Sequence, residues 1–350
     1  MMIEVYSPTI RRKEMDAVLT AMVEDKIGPG EQARLLIQIA KDILQFEYCI
    51  ALRSPAIVLY LALKGLNLED GQGVVLSALA PRYYGQVLAD MRLAPLYCDV
   101  SQDIPVISPQ TIEAALSQKE AGLEVRCILV SQTLGYVPDM AGIAGMGLPV
   151  IDDCSQSFTI PAEGVRNGTY GTFTMIGLEE RDMLTAGGGA LLYAMNRRDA
   201  AVLRNLSILP EYSLPDLNAA MAVIQCKEAP KNLEKRRKIA QVYAQAALRT
   251  RHKRFTPREN AETPGGDAYN HYAFPLVLET GMKDVKAYAK RKDIAVESAF
   301  EHTLMGSSLV PPALCPEAYS LFLRTVLFPL YPRLGAEEVE KIAKLIITLP

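Results

Sequence analysis

Residues 172–192, TFTMIGLEERDMLTAGGGALL, read as a strand, a charged turn, a glycine run and a second strand. Thr172 to Ile176 and Gly189 to Ala194 are short apolar runs, and Glu179, Glu180, Arg181 and Asp182 lie between them. Apolar runs bounded by turn signals are the mark of strands buried on both faces. Working outward, the same texture recurs at Gly73 to Ser77, Pro95 to Val100, Arg126 to Ser131 and Pro149 to Asp152. Segments with helical periodicity alternate with these strands: Arg11 to Val23, Glu31 to Phe46, Pro55 to Leu66, Tyr83 to Leu93 and Pro109 to Ser117. This alternation predicts an α/β fold in which a mainly parallel sheet carries helices on both faces. In such sheets ligands sit beyond the carboxyl ends of the strands.

After Cys226 the texture changes to a long charged amphipathic helix, KEAPKNLEKRRKIAQVYAQAAL. Its basic run Lys235-Arg236-Arg237-Lys238 reads as the solvated face of that helix. A loop rich in Pro, Gly and Asn follows from Thr256 to Asp267, then a strand from Tyr272 to Glu279. The last helix, Ala336 to Leu349, places Val339, Ile342, Leu345 and Ile346 on one face. The change of texture predicts a large domain over residues 1–226 and a smaller C-terminal α+β domain over 227–350.

A chain of 350 residues is long enough to bury a sizeable core. The formal net charge of -3 supplies no basic field for nucleic acid or an anionic membrane, and favours a small or neutral partner. The six cysteines are scattered, with no C-x-x-C, and read as reduced, buried thiols. The opening residues lack a basic region followed by an apolar one, and the most apolar window, Cys49 to Leu66, is broken by Arg53, Pro55 and Lys64. A cytoplasmic soluble protein is expected.

Asp152-Asp153-Cys154-Ser155-Gln156 follows a strand. Paired acids there are either a ligand site or, the favoured alternative on the motif alone, the N-cap of a following helix. Cys154 has no histidine near it in sequence and reads as a small buried residue. His252, His271 and His302 have no metal-ligand spacing. Gly187-Gly188-Gly189 precedes a strand rather than a helix, so close backbone approach is preferred to a phosphate cradle. A metal-assisted hydrolase using Asp152, Asp153 and Asp182 is a remote third class, because no known spacing supports it.

Taken in order, these pieces resemble the DegT/DnrJ-type sugar aminotransferases, which have the pyridoxal phosphate (PLP)-dependent aspartate-aminotransferase fold. Ser7 to Leu19 and Ile27-Gly-Pro-Gly30 match the family's opening helix and its G-P turn. LRSPAIVLYLAL, from Leu52, sits where the family has NSGTAALxLAL. LGYVPDM, from Leu134, corresponds to YGxxxDM, and PVIDDCSQS, from Pro149, to PVIEDAAQA. VLFPLYPRLGAEEVEKI, from Val326, is similar to LPLYPxLxxxEV. The fold this resemblance implies is three-layered, with a smaller C-terminal domain.

The resemblance implies roles position by position. Asp153 falls on the carboxylate that pairs with the pyridinium nitrogen, and Gln156 on the amide that contacts the phenolic oxygen. Counted from Gly168-Thr-Tyr-Gly171, the serine that grips phosphate becomes Gly177 and the Schiff-base lysine becomes Asp182. No lysine occurs from Glu120 to Cys226. At the other phosphate positions stand Ser54-Pro55-Ala56 for S-G-T and Glu211 for the partner subunit's asparagine. Ala80-Pro81 replaces the stacking aromatic, with Tyr83 and Tyr84 as substitutes. The expectation is a homodimer that has lost classical transamination and binds a nucleotide sugar or a partner enzyme in polysaccharide metabolism. The alternative is an enzyme with non-covalent PLP or pyridoxamine phosphate (PMP), in which Asp182 or Glu179 moves the proton of a dehydration or half-transamination.

Overall fold

The structure, a computed structural model, describes residues 2–101, 103–160, 168–256, 269–279 and 281–350. The first part runs α1 (Arg12–Val23), α2 (Glu31–Leu44), β1 (Tyr48–Leu52), α3 (Pro55–Gly65), β2 (Gly73–Ser77), α4 (Tyr83–Asp90), β3 (Ala94–Cys98) and α5 (Pro109–Ser117). It continues with β4 (Val125–Ser131), α6 (Met140–Ala144), β5 (Val150–Asp153), β6 (Phe173–Gly177), β7 (Ala190–Ala194) and α7 (Arg197–Arg204). Then come α8 (Asp216–Ala247), β8 (Phe274–Val277), α9 (Met282–Lys290), β9 (Glu297–Ser298), α10 (Pro316–Arg324), β10 (Thr325–Phe328) and α11 (Ala336–Ile347). Most of the proposed loop from Thr256 to Asp267 lies outside the described residues.

The seven strands of the large sheet lie in the order β1-β7-β6-β5-β4-β2-β3. β7 is antiparallel to both of its neighbours, and the remaining pairs are parallel. Because side chains alternate across a strand, successive residues enter different cores. On one face Leu52, Leu129, Ile151, Met175 and Leu192 pack with Leu59 and Leu63 of α3 and Leu88 of α4. On the other, Ala51, Ile176, Leu191 and Tyr193 pack with Leu36 of α2 and Val223 of α8, while Val75, Ile128 and Val150 meet Ile112 of α5 and Ile143 of α6. The expected three layers are present.

Two glycine segments are structural. Gly189 has φ +115°, and a Cβ there would overlap Leu214 Cδ1 and approach the Leu52 carbonyl oxygen to 3.3 Å. Close approach is therefore the reason for the glycine, as its position before a strand predicted. In the Gly28-Pro-Gly turn, Gly30 packs against Asp216, whose carboxylate accepts the Ala33 N–H of α2 at 3.0 Å.

The second sheet, β8-β10-β9, is antiparallel, and Ile3 adds a parallel bridge to Ile294 beside it. Helix α8 begins before residue 227, so the change of texture at Cys226 falls inside one continuous helix. Its basic run is not wholly solvated. Lys235, Arg237 and Lys238 are exposed, but Arg236 is buried. Arg236 Nη1 donates to the carbonyls of Tyr272 (2.8 Å), Leu330 (3.0 Å) and His271 (3.3 Å). These carbonyl partners stabilise a buried cation that burial alone would expel. All six cysteines are buried and none is in a disulfide. No helix among the described residues is long and apolar enough to cross a membrane.

Candidate ligand site

A cavity of about 490 Å³ opens beyond the carboxyl ends of the parallel strands. Leu79 and Pro81 reach it after β2, Gln132 after β4, Ser155 and Gln156 after β5, and the turn Glu179–Asp182 after β6. Pro55 at the start of α3 adds to this wall, and Tyr272, Glu297–Phe300 and Thr303 close the opposite side.

Asp153 ends β5 with 5 % of its surface exposed. The Tyr84 hydroxyl donates to its Oδ2 at 2.5 Å, and both the Ser155 N–H (2.9 Å) and the Ser155 hydroxyl donate to its Oδ1. Ser155 Oγ in turn accepts the Gly177 N–H at 2.7 Å, which joins the ends of β5 and β6. Residues 154–160 form a turn and no helix. The helix-cap expectation is corrected: the carboxylate closes a turn and fixes an adjacent tyrosine. Burial pushes the Asp153 carboxyl up, opposed by Ser155 and Tyr84. Tyr83 lines the cavity and meets the Tyr84 ring edge-on, with centroids 4.9 Å apart. Asp152 points elsewhere, accepting from Gln132 Nε2 at 2.7 Å and from the Cys154 thiol at 3.4 Å, and burial pushes it up to about 7. Gln156 Oε1 accepts the Leu134 N–H at 2.6 Å, at a residue with φ +55°.

The charged turn folds onto itself. Asp182 N–H donates to the Glu179 carbonyl at 3.1 Å, and Asp182 Oδ2 accepts the Glu179 N–H at 2.8 Å. This places the carboxylate over Gly177, where a Cβ would overlap Asp182 Oδ2 and lie 3.0 Å from Ser155 Oγ. Burial pushes Asp182 up to about 8, the Glu179 N–H opposes this, and the charges of Asp153 and Glu179 add to it. Arg181 leaves the turn to bind Glu297 of β9 through Nη1 (2.7 Å) and Nη2 (3.3 Å), with its guanidinium 5.7 Å from the Tyr6 ring centre. Glu179 and Glu180 are exposed at the cavity edge.

The remaining sequence-predicted positions are partly dispersed. Ser54 is the N-cap of α3, its Oγ accepting the Ile57 N–H at 3.3 Å, and Pro55 at the first helical position has no N–H to offer a phosphate. Glu211, in the short turn Pro210–Tyr212, is exposed and does not line this chain's cavity. His302 is at the cavity edge, whereas His252 is buried and accepts the Glu279 N–H at 3.3 Å. Among the described residues no group of three or more His, Cys, Asp or Glu side chains could hold a metal. Sequence reasoning missed Ser155, Gln132 and the Arg181–Glu297 pair; it flagged Tyr84 only as a stacking ring.

The chain belongs to the DegT/DnrJ/EryC1/StrS aminotransferase family, whose model matches residues 8–347. It is 22% identical to dTDP-4-dehydro-2,3,6-trideoxy-D-glucose 4-aminotransferase of Saccharopolyspora spinosa, covering 98% of this chain and 95% of that one. It is 28% identical to L-glutamine:2-deoxy-scyllo-inosose aminotransferase of Streptomyces fradiae over 52% of this chain, a match spanning only 42% of that relative. The aminotransferase TlmJ from Streptoalloteichus hindustanus superposes with a TM-score of 0.86 at 19% identity, over 99% of this chain and 98% of that one. The mainly parallel sheet is thus that of the PLP-dependent aminotransferases.

A covalently held PLP needs a lysine for its imine. Among the described residues no lysine lines the cavity. Asp182 fills the space a serine side chain would need at Gly177, Pro55 lacks a donor, and Asp153 and Gln156 already accept hydrogen bonds from the chain itself.

Proposed function

We propose that this chain keeps the aminotransferase fold without classical transamination, and that its cavity binds a nucleotide sugar in polysaccharide metabolism. The observation that carries this reading is the self-capped turn, in which Asp182 folds over Gly177; the resemblance implies the Schiff-base lysine at residue 182. An acid cannot form an imine with an aldehyde. The sugar ligand is favoured by the relative that acts on a dTDP-sugar and by a cavity of about 490 Å³, a size suited to a small ligand. Arg82, on the cavity wall, supplies a cation for a phosphate.

The visible spectrum of the purified protein before and after addition of PLP is the test, followed by borohydride and mass spectrometry. A colourless protein with no pyridoxyl-lysine is expected; stoichiometric labelling of one lysine sinks the reading. Thermal shift with dTDP- and UDP-sugars tests the ligand, and a flat response to all of them removes it. We also propose a homodimer, supported by the apolar side chains that α1 and the turn after it leave exposed, Met15, Leu19, Met22, Val23 and Ile27. A monomer in light scattering at micromolar concentration counts against it.

A further inference from the structure

A groove of about 480 Å³ runs between α8 and α11, and it shares no lining residue with the ligand cavity. From α8 it takes Lys235, Lys238, Ile239 and Val242. From α11 it takes Ala336, Val339, Glu340 and Ala343. Both sets follow the spacing i, i+3, i+4, i+7, so each is one face of its helix over two turns. Pro332 and Leu334, just before α11, complete the lining. Ile239 and Ala343 also belong to the core around the second sheet, which fixes the floor of the groove, whereas Val242 is 45% exposed. A contiguous apolar strip with a polar rim is the mark of an interaction surface.

Length and charge select the occupant. The two faces, Lys235 to Val242 and Ala336 to Ala343, each rise about 10 Å. That is far too short to supply the ~800 Å² per partner of a standard protein–protein interface, but it fits two turns of one further helix laid between α8 and α11, as in helix-in-groove recognition. The small side chains of Ala336 and Ala343 leave room for it. On the α8 side the rim is positive. Lys235 makes no ion pair with a described residue, and burial, then the like charges of Arg11 and Lys231, push its ammonium down. Lys238 has Glu234 at 3.4 Å and is 70% exposed. On the α11 side Glu340 is already neutralised by Lys344 at 2.7 Å. Carboxylates on the incoming helix complement this rim, and a basic helix is repelled by it.

We propose that the groove between α8 and α11 docks a short amphipathic helix of a partner protein, with its apolar stripe on Ile239, Val242 and Val339 and its flanking carboxylates against Lys235 and Lys238. This goes beyond the sugar-binding reading and stands without it.

The experiment is fluorescence anisotropy of the full chain at neutral pH and low salt with two labelled synthetic helical peptides of about 16 residues. Both carry the same leucine stripe; one has glutamates on its flanks and the other lysines. The acidic peptide is expected to saturate and to bind about tenfold or more tighter than the basic one, the difference narrowing as salt is raised. Val242→Asp, at an exposed position, is expected to weaken the acidic peptide about tenfold or more. Lys235→Glu combined with Lys238→Glu is expected to reverse the preference between the peptides. No saturation by the acidic peptide, equal binding of the two peptides, or undiminished affinity in both variants overturns the proposal. Saturation by laurate but not by the peptide assigns the groove to a small anionic amphiphile instead. A drop in oligomeric state of Val242→Asp in light scattering assigns it to a second copy of this chain, and either result also overturns the proposal.

Discussion

The two sides of the cavity contrast. After β5, Asp153 and Gln156 stand where the resemblance implies cofactor contacts; after β6, on the proposed reading, Gly177 and Asp182 stand where it implies a serine and a lysine. The structure accounts for both without a cofactor. Asp153 is held by Tyr84 and Ser155, and Gln156 by the Leu134 N–H, so each would leave a buried donor or acceptor unpaired if replaced. The turn after β6 closes on its own backbone through Asp182. A matching residue inside a hydrogen-bonded network is therefore weak evidence for retained chemistry, and a rewritten turn at the cavity wall is stronger evidence for its loss.

The sharpest way to break this comparison is to rebuild the β6 side. Asp182→Lys alone is expected not to confer tight PLP binding, because Pro55, Ala56, Gly177 and Glu211 still leave the phosphate poorly held. Combining it with Pro55→Gly, Ala56→Thr, Gly177→Ser and Glu211→Asn is expected to give a yellow protein on PLP titration. Two or three charged hydrogen bonds, at roughly 1.5–3 kcal/mol each, correspond to a difference of about a hundredfold to a millionfold in affinity. Tight binding by the single variant would show that the phosphate positions do not matter. A folded but colourless combined variant would show that Tyr84 and Ser155 have closed the Asp153 side as well.

The next effect is the part of the pH dependence that the β6 side contributes. Asp182 in the folded chain keeps its proton up to about 8, whereas the unfolded chain releases it near ~3.9. Between these values the folded state binds the extra proton, so stability falls as pH rises, by at most about 1.4 kcal/mol per pH unit from this group. Asp182→Asn stays neutral and can still accept the Glu179 N–H. Its stability relative to the parent is expected to grow from acid to mildly basic pH and then level off. Urea denaturation across this range checks the sign; parallel curves for the two proteins contradict a protonated Asp182.

The legibility of these features in the sequence followed the range of the contacts involved. Strands β2 to β7 and helix α5 are visible because apolar runs and caps are local signals; Pro109–Ser117 is recovered to the residue. Strand β1 was lost in the apolar window from Cys49 to Leu66, where a strand and a helix adjoin without a turn signal. The start of α8 was missed because its cap is Pro215, without a side-chain hydrogen bond. Arg236 could not be seen as buried, since its carbonyl acceptors lie 35, 36 and 94 residues away. At the site, the family pattern singles out Asp153, Gln156 and Asp182, and all three line the cavity. The Arg181–Glu297 pair, 116 residues apart, has no local signature.

A third prediction tests whether Gly177 and Asp182 form one packing unit. A Cβ at Gly177 overlaps Asp182 Oδ2, so Gly177→Ser is expected to cost ~1–3 kcal/mol, the usual range for overpacking. In an Asp182→Ala background the same substitution is expected to cost much less, because the space over Gly177 is then empty. A double-mutant cycle measures the difference, expected within about 0.5–3 kcal/mol. Additive costs would mean that the turn moves aside freely, and the account of the lost serine position would need another cause.

The smallest effect is expected at Arg181 and Glu297, and it separates the exposed part of the charged turn from the buried part. Their pairing has good geometry, but the side chains are 47% and 35% exposed, where water and salt screen the attraction and ordering two long side chains costs entropy. Arg181→Ala, Glu297→Ala and the double variant are expected to give a coupling of ~0.2–1 kcal/mol, reduced at high salt. The Tyr6 contact adds packing that Arg181→Ala loses and Glu297→Ala keeps, so the arginine variant is expected to be the less stable of the two. A salt-independent coupling above about 2 kcal/mol would instead mark the pair as desolvated, making Arg181 a fixed strut between the two sheets rather than a surface contact at the cavity mouth.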